Sequence, residues 1–134
     1  MIFIRLIIAI FFSILFFSNS YALDCNRTVT AAVTVQYSCE DNDSLTVTGS
    51  ITFDNQNAVL ATQKDSVTIS NSGTIKVTAE GGSIDTPIGG QSSLNLTVTN
   101  SGTIWAQDDY GIKLIEAEKV TITNEAGGTI KGTP

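Results

Sequence analysis

Asp108 and Asp109 are adjacent carboxylates in a plausible loop, with Glu116 and Glu118 a few residues on. Two carboxyl groups can do acid and base work on a glycosidic bond when they face each other across it. Neighbours on a strand point to opposite faces, so this pair reads as a solvated turn. Glu116 and Glu118 share parity but lie beside Lys113 and Lys119, which suggests surface ion pairs of small energetic weight. Glu40-Asp41-Asn42-Asp43 has the charge of a calcium loop, yet it lacks the glycine and the terminal glutamate of one, and reads as a charged turn. The chain has no histidine, which removes the usual general base and the commonest zinc ligand. No catalytic residue, metal or cofactor is assigned, and an enzyme is not expected. Trp105 follows a residue expected to face inward, so by parity it faces outward near Tyr110. Such a ring stacks on a sugar or covers an apolar gap under the next loop.

The elements that would position these residues are constrained by composition. At 134 residues the chain makes one domain at most, and its net charge is −6. Five of its six phenylalanines fall in the first 17 residues. That segment, MIFIRLIIAIFFSILFFSNSYA, has a positive start at Arg5, an apolar run from Leu6 to Phe17, and small residues at Ser20 and Ala22. It has the three-part layout of a secretory signal peptide cut before Leu23. The uncharged stretch is short for a spanning helix. Asp24 before Cys25 is a poor fit to a lipid-attachment site. Without residues 1–22, in which Arg5 is the only charged side chain, six basic residues face thirteen acidic ones, for a net charge of −7. An acidic chain with no basic cluster argues against nucleic acid and against anionic membrane surfaces. Two cysteines in an exported chain, Cys25 and Cys39, read as one structural disulfide.

The chain repeats itself. Lys64–Val77 (KDSVTISNSGTIKV), Ser93–Ala106 (SLNLTVTNSGTIWA) and Glu118–Gly132 (EKVTITNEAGGTIKG) share an order: apolar, Thr, apolar, Ser or Thr, Asn, a glycine turn, then Thr-Ile. Asn71, Asn100 and Asn124 are 29 and 24 residues apart, and Ile75, Ile104 and Ile130 are 29 and 26 apart. Gly73, Gly102 and Gly128 complete the motif. A weaker copy without the asparagine, LTVTGSITF, starts at Leu45. Within each copy the period is two, so Val67 and Ile69, Leu96 and Val98, and Val120 and Ile122 share an inner face. Parity carried through the turn keeps Asn71, Gly73, Ile75 and Val77 on that face. The third copy has two extra residues before Ile130, an even number, so the register survives.

Strands that recur every 24–29 residues, each too short for its own core, imply stacked equivalent coils. The expected fold is all-β: a right-handed parallel β-helix of about four short coils. Residues 1–22 form the signal peptide, 23–43 an N-terminal cap with the disulfide, and 44–134 the repeats. An inward asparagine in register with the next can donate to one neighbour and accept from the other, and it tolerates the left-handed backbone of a tight turn. Gly111–Val120 reads as the second side of a coil, and Glu80–Ser93, with two Gly-Gly pairs, as a surface loop that lengthens one coil. Antiparallel hairpins compete with this reading, since Asn-Ser-Gly also makes hairpin turns. The scarcity of aromatic residues after the leader favours the solenoid.

The Ser/Thr-Asn-x-Gly-x-Ile element, the Tyr110-Gly111-Ile112 step, the acidic Thr/Ser/Asn/Gly-rich make-up and the export signal resemble autotransporter passenger domains, over about Leu45 to Gly132. The resemblance implies a Gram-negative cell-surface or secreted β-helix with a structural or adhesin-type role. A surface receptor or a glycan would be its partner, and an outer-membrane barrel its route out. The sequence ends at Lys131-Gly132-Thr133-Pro134 without the alternating strands of a barrel, so a barrel is expected elsewhere. A carbohydrate-binding or carbohydrate-degrading β-helix is the alternative, and it would gather Asp108, Asp109 and Glu116 in one cleft. An open C-terminal edge would leave the isolated chain marginally stable or prone to aggregation.

Overall fold

The computed structural model describes residues 22–54, 56–78 and 85–133. Residues 1–21 of the expected signal peptide lie outside them. The described chain contains no helix and winds as five three-sided rungs. Rung 1 holds β1 (Leu23–Asp24), β2 (Arg27–Val29) and β3 (Ala32–Val33). Rung 2 holds β4 (Tyr37–Ser38), β5 (Ser44–Val47) and β6 (Ser50–Asp54). Rung 3 holds β7 (Val59–Leu60), β8 (Thr68–Asn71) and β9 (Thr74–Thr78). Rung 4 holds β10 (Ile88–Gln91), β11 (Thr97–Asn100) and β12 (Thr103–Gln107). Rung 5 holds β13 (Ile112–Ile115), β14 (Thr121–Asn124) and β15 (Thr129–Thr133). The first strand of each rung stacks into sheet A, the second into sheet B and the third into sheet C, each of five strands. All pairings are parallel. Parallel neighbours need a long crossover, and here the other two sides of the rung supply it.

Period two becomes columns. On sheet B, Leu45, Ile69 and Val98 stack inward and are fully buried. On sheet C, Val33, Ile51, Ile75, Ile104 and Ile130 form the matching inner column. The outer face of sheet B carries hydroxyls instead. One column runs Ser44, Thr68, Thr97, Thr121, and a second runs Thr28, Thr46, Ser70, Thr99, Thr123.

The segment 23–43, expected as a separate cap, continues the same winding as rung 1 and the first side of rung 2. Rungs 1 and 2 are only 14 residues apart on sheet A, so Cys25 and Cys39 follow the paired strands β1 and β4 and meet across the ladder. They form a disulfide with Cα atoms 4.6 Å apart, close to the spacing of adjacent strands. Both cysteines are buried. Such a bond suits an oxidising, extracytoplasmic compartment. Arg27 is the in-register partner of Leu45, at the foot of the inner column, and its guanidinium lies 6.0 Å from the centre of the Tyr37 ring. An inward-facing charge on an edge strand disfavours the addition of another strand. Replacing both cysteines with serine is expected to lower stability by about 3 kcal/mol, the loop-closure contribution for such a short loop. Urea melts of the oxidised wild type and the double variant measure it, and equal midpoints would refute it.

Sheet A is the side that the repeat leaves out. Gly111–Val120 does enter a strand, β13, but as part of a third side, because the repeat itself supplies sheets B and C. The expected loop Glu80–Ser93 divides. Residues 80–84 lie outside the described residues, and Ile88–Gln91 is a strand, with Ile88, Gly89 and Gly90 buried. The side chain of Asn57 fastens the chain as it re-enters, accepting hydrogen bonds from the Thr86 backbone N–H (3.0 Å) and hydroxyl (2.9 Å).

Left-handed backbone is not where the repeat asparagines stand. It gathers at the corner between sheets A and B, at Asn42, Ser66, Asn95 and Lys119 and again at Gln63, Ser92 and Glu116. These residues recur rung after rung, so the turn is set by stacking rather than by residue type.

Candidate functional site

The repeat motif builds an amide ladder that is buried at Asn71 and Asn100 and exposed at Asn124. Asn71, Asn100 and Asn124 end β8, β11 and β14 in register. Asn71 Nδ2 donates to Asn100 Oδ1 at 2.7 Å, and Asn100 Nδ2 donates to Asn124 Oδ1 at 2.8 Å. Asn100 therefore accepts from one neighbour and donates to the other while fully buried. Each of these two amides also reaches the next rung's first sheet C carbonyl, Thr103 O or Thr129 O, at 3.1 Å. At the lower end Val47 takes the same column and offers no donor. Asn71 Oδ1 is left buried without a partner, at a cost of about 1–3 kcal/mol. At the upper end Asn124 Nδ2 donates to Gly128 O at 2.8 Å within its own rung.

Beside the ladder, Gly49, Gly73 and Gly102 turn the chain from sheet B to sheet C, and Gly128 does so in rung 5. A Cβ on Gly73 would lie 2.0 Å from Gly49 O, and one on Gly102 would lie 2.1 Å from Gly73 O. Neither glycine has a positive φ. They are needed because the rungs approach too closely for any side chain. Ala126 and Gly127, the two extra residues of the third copy, lie in a turn closed by Gly128 N to Glu125 O at 2.9 Å.

The residues considered for chemistry are dispersed. Asp108, Asp109, Tyr110 and Gly132 line a cleft of about 390 Å³ where rung 4 passes into rung 5. Asp109 Oδ1 accepts from the Tyr110 backbone N–H at 2.7 Å, and Tyr110 is 64% exposed. Lys113 Nζ sits 5.4 Å from the centre of its ring. Glu116 is not part of the cleft. It follows the far end of β13, on the order of 13 Å along a four-residue strand, and its carboxylate accepts from Ser92 Oγ at 3.4 Å. The expected grouping of three carboxylates is not assembled. The cleft offers hydrogen-bond acceptors beside an exposed aromatic ring that Lys113 approaches on one face, which suits a polyhydroxylated ligand on the other.

Trp105 does face outward from sheet C, half-buried, but its ring is occupied. Lys76 Nζ lies 4.4 Å from the ring centre on one side, and Lys131 is the in-register partner on the other. The Lys76–Trp105 pair is a cation–π contact. The expected pairing of Glu116 and Glu118 with Lys113 and Lys119 is not formed. Among the described residues the ion pair is Lys64–Glu40, whose hydrogen bond holds the lysine above its ordinary pKa. Asn95 Nδ2 donates to Asp65 Oδ1 at 2.6 Å and, with Ser66, holds that carboxyl below its ordinary value. In the charged turn, Asp43 Oδ2 accepts from the Glu40 N–H at 2.7 Å. Among the described residues no three metal-ligating side chains converge.

No protein-family model matches the chain, and no curated protein or solved structure matches it.

Proposed function

We propose that the chain is an exported β-helix of the autotransporter passenger type, displayed at the surface of a Gram-negative cell or released from it, with a structural or adhesin-type role and no catalysis. The observation that carries this reading is the in-register column of Asn71, Asn100 and Asn124 beside Gly73 and Gly102. It makes the repeat a device for stacking rungs into a stalk, and it leaves no chemistry assigned to the motif. The leader-like residues 1–22 and the disulfide support passage out of the cytoplasm. A surface receptor or a glycan would be the partner, and an outer-membrane barrel would supply transit. The test is to express the chain upstream of an autotransporter barrel in a Gram-negative host. The expected result is a mature N-terminus at Leu23 and labelling of intact cells by antibody. Retention in the cytoplasm with residues 1–22 still attached would overturn the reading.

The cleft at Asp108, Asp109 and Tyr110 favours a second reading, carbohydrate binding. In that case Tyr110→Ala removes glycan-array signal from a protein whose fold is unchanged.

A further inference from the structure

We propose that the outer face of sheet B binds ice. Among the described residues sheet C has one outer hydroxyl column, Ser50, Thr74, Thr103 and Thr129, and only sheet B has two side by side. The middle column of sheet C runs Thr52, Lys76, Trp105, Lys131, and sheet A mixes Leu60, Gly89 and Lys113. The two columns of sheet B, from Ser44 to Thr121 and from Thr28 to Thr123, contain only serine and threonine. Every member is at least partly exposed. None donates a side-chain hydrogen bond to another described residue, whereas the hydroxyls of Thr48 and Ser72 at the next corner turn to backbone carbonyls of the rung below.

The array is a two-dimensional lattice. Its members repeat at about 4.8 Å along the stack and about 6.6 Å along each strand. The repeat along the stack lies near the shorter oxygen spacing on a prism face of ordinary ice, and the repeat along the strand is of the same order as the longer one. Threonine is β-branched and stiff at χ1, so methyl and hydroxyl hold their positions. The hydroxyl replaces a lattice water as donor and acceptor, and the methyl fills the space beside it. No charge in either column holds a competing, disordered hydration shell. Each contact is weak, and binding comes from many made at once on a surface that loses little freedom. A folded protein ligand would bring side chains and some complementary charge, for which the two columns have no anchor; Glu125 stands at their edge, beside Ser70 and Thr99. A crystalline, uncharged, repeating partner fits it. This inference is independent of whether the chain is a passenger domain.

The experiment is slow ice growth from a solution of the exported chain, with the fraction taken into ice measured alongside crystal shape and freezing hysteresis. Thr99→Tyr stands a ring in the centre of the array, and Gln107→Tyr places the same ring on sheet C. Circular dichroism melts confirm that each variant is folded. Wild type and Gln107→Tyr are expected to enter ice and facet its crystals, while Thr99→Tyr loses roughly tenfold of the ice-bound fraction. A folded wild type that ice excludes overturns the proposal, and so does a Thr99→Tyr variant that enters ice as well as wild type. Retention of wild type on immobilised dextran, lost in Thr99→Tyr and without ice uptake, would assign the face to a neutral glycan and likewise overturn it.

Discussion

Asn100→Asp is expected to destabilise the protein by at least about 3 kcal/mol at neutral pH, the range for an uncompensated buried charge. The side chain is fully buried, and its amide nitrogen serves Asn124 Oδ1 at 2.8 Å, Thr129 O at 3.1 Å and Gly102 O at 3.2 Å. An aspartate keeps the oxygen that accepts from Asn71 but sets a second oxygen against those three acceptors. Burial and repulsion both favour the neutral acid, so the folded-state pKa of the new carboxyl rises above its unfolded value near 4. For a raised acid the loss of stability grows as pH rises from the unfolded pKa through the folded one, and below both it shrinks. The variant should therefore recover part of its deficit in acid, where the protonated carboxyl can again donate one hydrogen bond. Urea melts of wild type and variant at pH 4 and pH 7 measure this. A deficit that does not change with pH would show that the ladder position is not dry. Asn100→Val is a useful companion, because it removes the ladder contact without adding charge, so its deficit should be smaller at pH 7 and independent of pH.

Much of this arrangement was legible before any coordinates. The alternation in Val67-Thr-Ile69 and its copies gave sheet B, and the parity carried through Asn71 and Gly73 to Ile75 gave sheet C, because both rest on a repeat long enough to show period two. Sheet A is legible only in Gly111–Val120, which holds β13. Its first three strands have two residues each, and the fourth is Ile-Gly-Gly-Gln, which reads as a loop by composition. It is a strand because Val59 and Ile112 hold Ile88 in register from both sides. Arg27 was hidden for a related reason. A charged residue ends a hydrophobic column only when the column is known. The corner between sheets A and B shows the limit most clearly. Gln63, Ser92 and Glu116 share a left-handed backbone and no chemistry, so nothing in residue type announces them. The candidate site was legible as a list and not as an assembly: Asp108, Asp109 and Tyr110 share a cleft, while Glu116 does not.

The inner column of sheet B differs at its two described ends. Rung 1 carries Arg27 in the inner column, where rung 5 carries Ile122 at 46% exposure, with Val120 and Ile115 also exposed. Among the described residues the inner column of sheet B therefore runs from an exposed cation on rung 1 to exposed apolar side chains on rung 5.

Gly102→Ala is expected to destabilise the protein by about 3–5 kcal/mol, because overpacking here meets backbone rather than a mobile side chain. The added Cβ would lie 2.1 Å from Gly73 O, 2.7 Å from Ser72 C and 2.8 Å from Gly73 N. None of these atoms can swing aside. Relief requires rungs 3 and 4 to part at the corner between sheets B and C. That corner is held by Ser101 N to Asn71 O at 2.8 Å and Thr103 N to Gly73 O at 2.8 Å, and the buried Asn71–Asn100 contact lies beside it. A steric origin can be told from a conformational one. Gly102 has no positive φ, whereas Gly127 has φ +90° and nothing within 4 Å of its would-be Cβ. Gly127→Ala should therefore cost only about 1–2 kcal/mol, the penalty for a left-handed alanine. Thermal melts of the two alanine variants separate the cases. If both lose the same small amount, the glycines of the Asn-x-Gly motif serve backbone freedom. If Gly102→Ala unfolds the stack while Gly127→Ala is tolerated, the motif's glycine is there to let one rung lie against the next.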